Sequence, residues 1–190
     1  IASIAVNPIN IAREKTSVVV GRGHYFGPRM VRMLDVTRGS QQLVESLRKL
    51  LPDLSETQIA EVKRDFQARC GTYNADAAIG LVPNLLASRV ANRLDLGGTA
   101  YTLDAACAST LVAVDHACRA LRQDSADLVI AGAVNLMLSP TSMVFCSKFG
   151  GLAADGRCKA FDAAADGFGR GEGGGVVILK PLDRALADGD

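Results

Sequence analysis

The residues from which chemistry can be argued sit in one stretch, positions 99–122, which reads Thr-Ala-Tyr-Thr-Leu-Asp-Ala-Ala-Cys-Ala-Ser-Thr-Leu-Val-Ala-Val-Asp-His-Ala-Cys-Arg-Ala-Leu-Arg. Tyr101 to Leu103 is β-prone, and Ala105 and Ala106 allow a tight bend. Ser109 or Thr110 stands where a helix cap is needed, and Leu111, Val112, Val114, Ala117, Cys118 and Leu121 leave little polar face, which predicts a buried helix. A strand, a small-residue corner and a helix in this order set Cys107 over a helix N-terminus. The partial positive charge and unpaired N–H groups there favour thiolate over thiol, the state a nucleophilic cysteine needs. Spacing alone leaves a second reading open, in which a cysteine among alanines is an inert core residue.

The sequence holds two histidines, and the nearer one is not placed to be a partner for that thiol. His116 follows Cys107 by nine residues, which on a continuous helix is about 900° of rotation and ~13 Å of rise, the opposite face. His24, in Gly-Arg-Gly-His-Tyr-Phe, reads as a loop residue. The glycines at 21 and 23 invite a dinucleotide-binding reading, but the third glycine of that fingerprint would fall at position 26, where the chain has Phe26.

The elements that must position Cys107 alternate between strand and helix. Positions 16–20 form a β-branched run of buried-strand length, and positions 126–134 are a continuous apolar run suited to a parallel strand covered on both faces. Between them, positions 30–69 turn helical, with a capping-box start at Ser55-Glu-Thr-Gln58, and their charges read as a solvated face. A helix through Leu85, Leu86, Val90 and Leu94 is expected to end at Gly97-Gly98. Ser139-Pro140 opens a short helix to about Phe149. The glycine-rich positions 150–175 form a long loop of the kind that wraps a site. Positions 176–179 read as another buried strand, followed by a helix from Leu182 to Asp188. The class is α/β, a sheet covered by helices.

Composition narrows the partners. Hydrophobic residues make up 48% and charged ones 22%, enough for a core, and the formal net charge is +1 with scattered basic residues. Neither a nucleic-acid groove nor a membrane anchor is expected, and no apolar run approaches the ~20 residues of a bilayer span. Five cysteines (70, 107, 118, 146, 158) without a C-x-x-C pair read as free thiols of a cytoplasmic protein. With no start methionine or basic leader, the chain reads as an excised piece of a larger one.

Three stretches together resemble the β-ketoacyl synthase (ketosynthase) family of the thiolase-like fold: Asp104-Ala-Ala-Cys107-Ala-Ser-Thr110, Asp127-Leu-Val-Ile-Ala-Gly-Ala-Val-Asn135, and Gly156-Arg-Cys-Lys-Ala-Phe-Asp-Ala-Ala-Ala-Asp-Gly-Phe-Gly-Arg-Gly-Glu-Gly173. The upstream run from Asn84 to Asp104 is similar to ketosynthase domains of multidomain polyketide and polyunsaturated fatty acid synthases. The similarity runs from about Lys15 to the last residue. It implies a mixed sheet covered by helices, the amino-terminal half of a layered α-β-α-β-α fold, with residues 1–190 a single partial domain that continues beyond both ends.

The resemblance also implies an acyltransferase. Cys107 accepts an acyl group from a thioester, a malonyl-type extender on an acyl carrier protein loses carbon dioxide, and the carbanion attacks the acyl-enzyme to give a β-ketoacyl product. The Cys107 N–H is one oxyanion donor; the second donor and two histidines belong to the other half of the fold. No cofactor is bound directly, since substrates arrive on the carrier's phosphopantetheine, and a homodimer is expected with positions 99–103 near its two-fold axis. Phe145, Cys146, Phe149 and Glu172 are read as active-site wall, with Cys146 where many relatives carry a gating phenylalanine. Cys70, Cys118, Cys146 and Cys158 match no catalytic position. The alternative is a non-condensing ketosynthase-like module that binds or loads carrier protein. An unrelated cysteine hydrolase would need a base near Cys107 and would leave the glycine-rich segment without a role.

Overall fold

Thr-Ser-Val-Val-Val-Gly at positions 16–21 supplies the strand on which the rest is laid, because β-branched side chains suit a pleated surface covered on both sides. The computed structural model describes residues 12–23, 28–71 and 80–190, so the readings of residues 1–11, of His24 and of Phe26 lie outside the described residues. In chain order the elements are β1 (Thr16–Gly21), α1 (Pro28–Leu34), a π-helical turn (Asp35–Gly39), α2 (Ser40–Leu50), α3 (Glu56–Arg69), α4 (Leu85–Leu94), β2 (Ala100–Leu103), a 3-10 turn (Ala106–Ala108), α5 (Ser109–Arg122), β3 (Leu128–Asn135), α6 (Pro140–Lys148), β4 (Gly173–Leu179) and α7 (Leu182–Asp188).

The sheet order is β2-β1-β3-β4. The first three strands are parallel, with Val19 beside Tyr101 and Ala131, and β4 runs antiparallel to β3. Alternate side chains of β1 go to opposite faces. Val19 joins Val129, Ala131 and the α5 residues Ala113 and Ala117 in one cluster, while Val18 joins Ala87 and Ala91 of α4 in another. Alanines at the contacts let each helix close against the sheet. The expected α/β class, a mixed sheet covered by helices, is the one observed.

The described residues divide into two compact units. One comprises Pro83–Met137 and Cys146–Asp190 with the described part of Ile1–His24, and it contains the whole sheet. The other comprises Tyr25–Val82 and Leu138–Phe145. In this second unit the capping box forms: Ser55 Oγ accepts the Gln58 N–H at 3.3 Å and Gln58 Oε1 accepts the Ser55 N–H at 2.9 Å. Gln67 Nε2 donates to the Val36 carbonyl of the π-helical turn at 3.0 Å, tying α3 to it.

Three expectations are corrected. The strand at 176–179 is not buried: β4 is an edge strand, and Val176 is 67% exposed. Asp95, at φ 55°, ends α4 in the left-handed conformation in place of Gly97-Gly98. Gly98 instead allows a close approach, since a Cβ there would collide with the Thr16 carbonyl oxygen. Finally, α5 is amphipathic rather than buried all round: Ala113 and Ala117 are covered, but Leu111 is 75% exposed.

Candidate active site

Cys107 lies in the 3-10 turn that joins β2 to α5, and its side chain is exposed and free. The turn is built against steric preference, because Ala106 sits at φ 50° although it carries a Cβ. Local hydrogen bonds hold it there. Asp104 Oδ1 accepts the Ala106 N–H at 2.9 Å. Ser109 Oγ accepts the Ala105 N–H at 2.9 Å and donates to the Ala106 carbonyl at 2.7 Å. The Ala108 and Ser109 N–H groups go to the carbonyls of Ala105 and Ala106. Ser109 is not the helix cap that the sequence suggests: it is the first residue of α5, and its hydroxyl turns back to tie the corner.

The corner stands at the carboxyl edge of the parallel strands. Gly21, at the end of β1, is level with Leu103 and Ala133, and the Arg22 N–H continues the ladder to the Leu103 carbonyl at 2.9 Å. Carboxyl edges of this kind are where open α/β sheets place their ligands. The glycine-rich segment reaches the same edge, because antiparallel β4 begins there with Gly173 beside Asn135. Glu172 Oε1 accepts the Met137 N–H, and Asn135 Nδ2 donates to the Gly171 carbonyl at 2.6 Å. Arg170 Nη1 donates to Cys146 Sγ at 2.9 Å, and the Gly169 N–H meets Cys158 Sγ at 3.2 Å. Cys146 is buried, whereas Phe145 and Phe149 are exposed.

A family model described as the N-terminal domain of β-ketoacyl synthase matches residues 54–185. The chain belongs to the β-ketoacyl synthase family. Among curated relatives, 6-methylsalicylic acid synthase from Aspergillus niger is 51% identical over 119 residues, covering 62% of this chain and 7% of that synthase. A highly reducing polyketide synthase from Gibberella fujikuroi is 49% identical over 113 residues, 60% of this chain and 4% of that synthase. Among solved structures, the ketosynthase from module 6 of the bacillaene synthase from Bacillus subtilis 168 superposes with a TM-score of 0.66 at 28% identity, over 96% of this chain and 24% of that one. The oxazolomycin ketosynthase domain from Streptomyces albus JA3453 gives 0.62 at 30% identity, over 93% and 25%. The chain thus spans under a tenth of these curated relatives and about a quarter of the solved ketosynthases.

In this β-ketoacyl synthase chain, His116 is engaged away from the thiol. Its Nδ1 lies 3.0 Å from the Tyr101 hydroxyl, and burial pushes the Tyr101 phenol above its ordinary range. Both residues line an open groove of about 320 Å³ beside β2, together with Thr99 and Arg119. All five cysteines are free. Among the described residues no helix is long and apolar enough to cross a membrane, and no three or more His, Cys, Asp or Glu side chains are placed to hold a metal ion.

Several residues that shape the site escape a reading of the sequence alone. Asp104 is legible in principle, since an aspartate two residues before the amide it accepts is a common local turn. Gly21 reads as the opening of a loop, yet the structure makes it the floor of the corner. Arg170 carries no local signal at all, because its acceptor is 24 residues away.

Proposed function

We propose that this chain is the nucleophile-bearing part of a ketosynthase domain that performs decarboxylative Claisen condensation in polyketide assembly, with Cys107 as the nucleophile. The observation that carries the reading is the corner itself. An exposed thiol stands on a strained turn at the carboxyl edge, and the N–H groups of Ala105, Ala106, Ala108 and Ser109 are all taken by acceptors within the chain. The Cys107 N–H is then the donor that the acyl oxygen meets.

In the first half-reaction the Cys107 thiolate attacks the thioester carbonyl. An S–C bond forms, the oxyanion rests on the Cys107 N–H, and collapse releases the carrier's phosphopantetheine thiol with a proton from solvent. In the second, a malonyl-type thioester on acyl carrier protein loses carbon dioxide. Its carbanion forms the new C–C bond at the acyl carbon, and the C–S bond to Cys107 breaks to return the thiolate. Polyketide relatives favour polyketide over fatty acid products. The five free thiols support a cytoplasmic setting.

Further features follow from the same reading. Residues 1–190 form part of one ketosynthase domain that works as a homodimer through the β2 edge. The family's two histidines have no counterpart beside Cys107 among the described residues, so the 190-residue chain alone is acylated without condensing. Losing preorganised polar groups lowers turnover by on the order of a hundredfold for a single oxyanion donor. Phe145, Cys146, Phe149 and Glu172 are proposed as wall residues; Glu172 holds the Met137 N–H and does not transfer protons.

The test is to supply the full-length protein carrying this sequence with an acyl thioester and malonyl carrier protein, following acyl-enzyme mass and β-ketoacyl product. Acyl mass on the Cys107 peptide, with product lost in Cys107→Ala, is the expected result. Acyl mass without product would leave the loading module as the function, and acyl mass on another cysteine would overturn the assignment.

A further inference from the structure

We propose that Asp104 is a positioning residue for Cys107: its side-chain oxygen holds Ala106 in the left-handed conformation that turns the thiol outward. The inference rests on the reading of Cys107 as nucleophile. At φ 50° Ala106 bears a Cβ in a region that disfavours it by roughly tenfold in population. Nothing about alanine selects that conformation, so neighbouring groups must.

The side chains of Ser109 and Asp104 both bond the backbone of this corner, and they do different work. Ser109 is buried, belongs to α5, and bonds Ala105 N–H and Ala106 C=O, so it fixes the corner to the helix. Asp104 is exposed, and its Oδ1 accepts the Ala106 N–H at 2.9 Å. That amide belongs to the residue whose torsions immediately precede Cys107. If Ala106 relaxed to the right-handed region, the 3-10 turn would merge with α5, and Cys107 would rotate by about 100° with the helical repeat. The role requires an acceptor oxygen at this reach and not a negative charge.

The test measures alkylation of Cys107 by limiting iodoacetamide, with adducts mapped by peptide mass spectrometry, in the full-length protein. Preferential alkylation of Cys107 in the unsubstituted protein checks the underlying reading separately. Asp104→Ala should slow Cys107 by about tenfold, the size of the conformational penalty. Asp104→Asn keeps the oxygen and should restore the rate with the pH profile unmoved, whereas a shifted profile would mean that the charge acts on the thiol and would overturn the proposal. Ala106→Gly in the Asp104→Ala background should recover the rate, because glycine adopts positive φ at no steric cost. No slowing in Asp104→Ala, or slowing that Ala106→Gly does not relieve, overturns it. Asp104→Glu is made alongside in case Asp104→Ala does not fold: its oxygen is displaced by one methylene, and a rate equal to that of the unsubstituted protein would also overturn it.

Discussion

Gly21 and Ser109 meet so closely that a Cβ on Gly21 would stand 2.7 Å from the Ser109 carbonyl carbon and carbonyl oxygen. The end of the central strand is therefore the floor on which the first turn of α5 rests, and with it the corner that holds Cys107. The two nearest atoms that a Cβ would meet belong to the backbone and the third is the Ser109 Cβ, so no rotamer change can relieve the contact.

Gly21→Ala should accordingly destabilise the fold by roughly 1–3 kcal/mol, the usual cost of overpacking a fixed contact. Thermal unfolding gives the stability, and the rate of Cys107 alkylation should fall with it as α5 lifts from the sheet. An unchanged melting temperature would mean that the corner is looser than its contacts imply.

Cys146 is 6% exposed and receives the Arg170 guanidinium on its sulfur. Replacing it with the larger phenylalanine should displace Arg170 and cost about 1–3 kcal/mol. Cys146→Ser keeps an acceptor and should cost less than Cys146→Ala. Equal stabilities of the serine and alanine variants, measured by denaturant unfolding, would rule out a contribution from the Arg170 contact.

The glycine-rich segment carries a pH-dependent pair. The hydrogen bond from Lys159 at 2.6 Å holds the Asp166 carboxyl below its ordinary value of 3.8, and Asp166 holds the Lys159 ammonium above 10.5. A lowered carboxylate stabilises the fold above its unfolded value, and that contribution is lost as pH falls through the folded one. A raised lysine stabilises below its unfolded value and is lost as pH rises through the folded one. Limited proteolysis within residues 150–172 should be flat from about pH 5 to about pH 9 and faster below pH 3.8. Asp166→Asn should remove the acid limb; an acid limb that persists in that variant would assign it to other carboxylates.

The β2 edge is proposed as the dimer contact, and among the described residues the sheet order pairs β2 with β1 alone. Val18 and Arg22 donate to the Thr99 and Leu103 carbonyls, so the even-numbered backbone groups of β2 face outward. Asn84 Oδ1 already accepts the Thr102 N–H at 3.2 Å, so strand pairing across a two-fold should begin at Ala100. Hydrogen exchange at Ala100 should slow as protein concentration rises, with little change at Thr102. Protection that is independent of concentration, in a protein monomeric throughout, would count against the contact.

Much of the fold is legible in the sequence because its signals are local. The β-branched run of β1, the Ser55–Gln58 capping box and the bounds of α7 each depend on residues within a few positions of one another. The burial of β4 is misjudged for a matching reason. Val176, Val177 and Ile178 form a continuous apolar run, and such a run has the same pattern whether a strand is central or at an edge.

The sequence by itself determined the class and the place of the thiol, because strand, small-residue corner and helix follow one another along the chain around Cys107, and its motifs at 104–110, 127–135 and 156–173 carried the resemblance to the family. Only the tertiary structure decided what that corner rests on and how the glycine-rich segment is tied at the same sheet edge. Gly21 comes to Ser109 across 88 positions of sequence, Arg170 to Cys146 across 24, and Glu172 to Met137 across 35. Those meetings depend on strand order and on the antiparallel entry of β4, and neither is written in the spacing of any single segment.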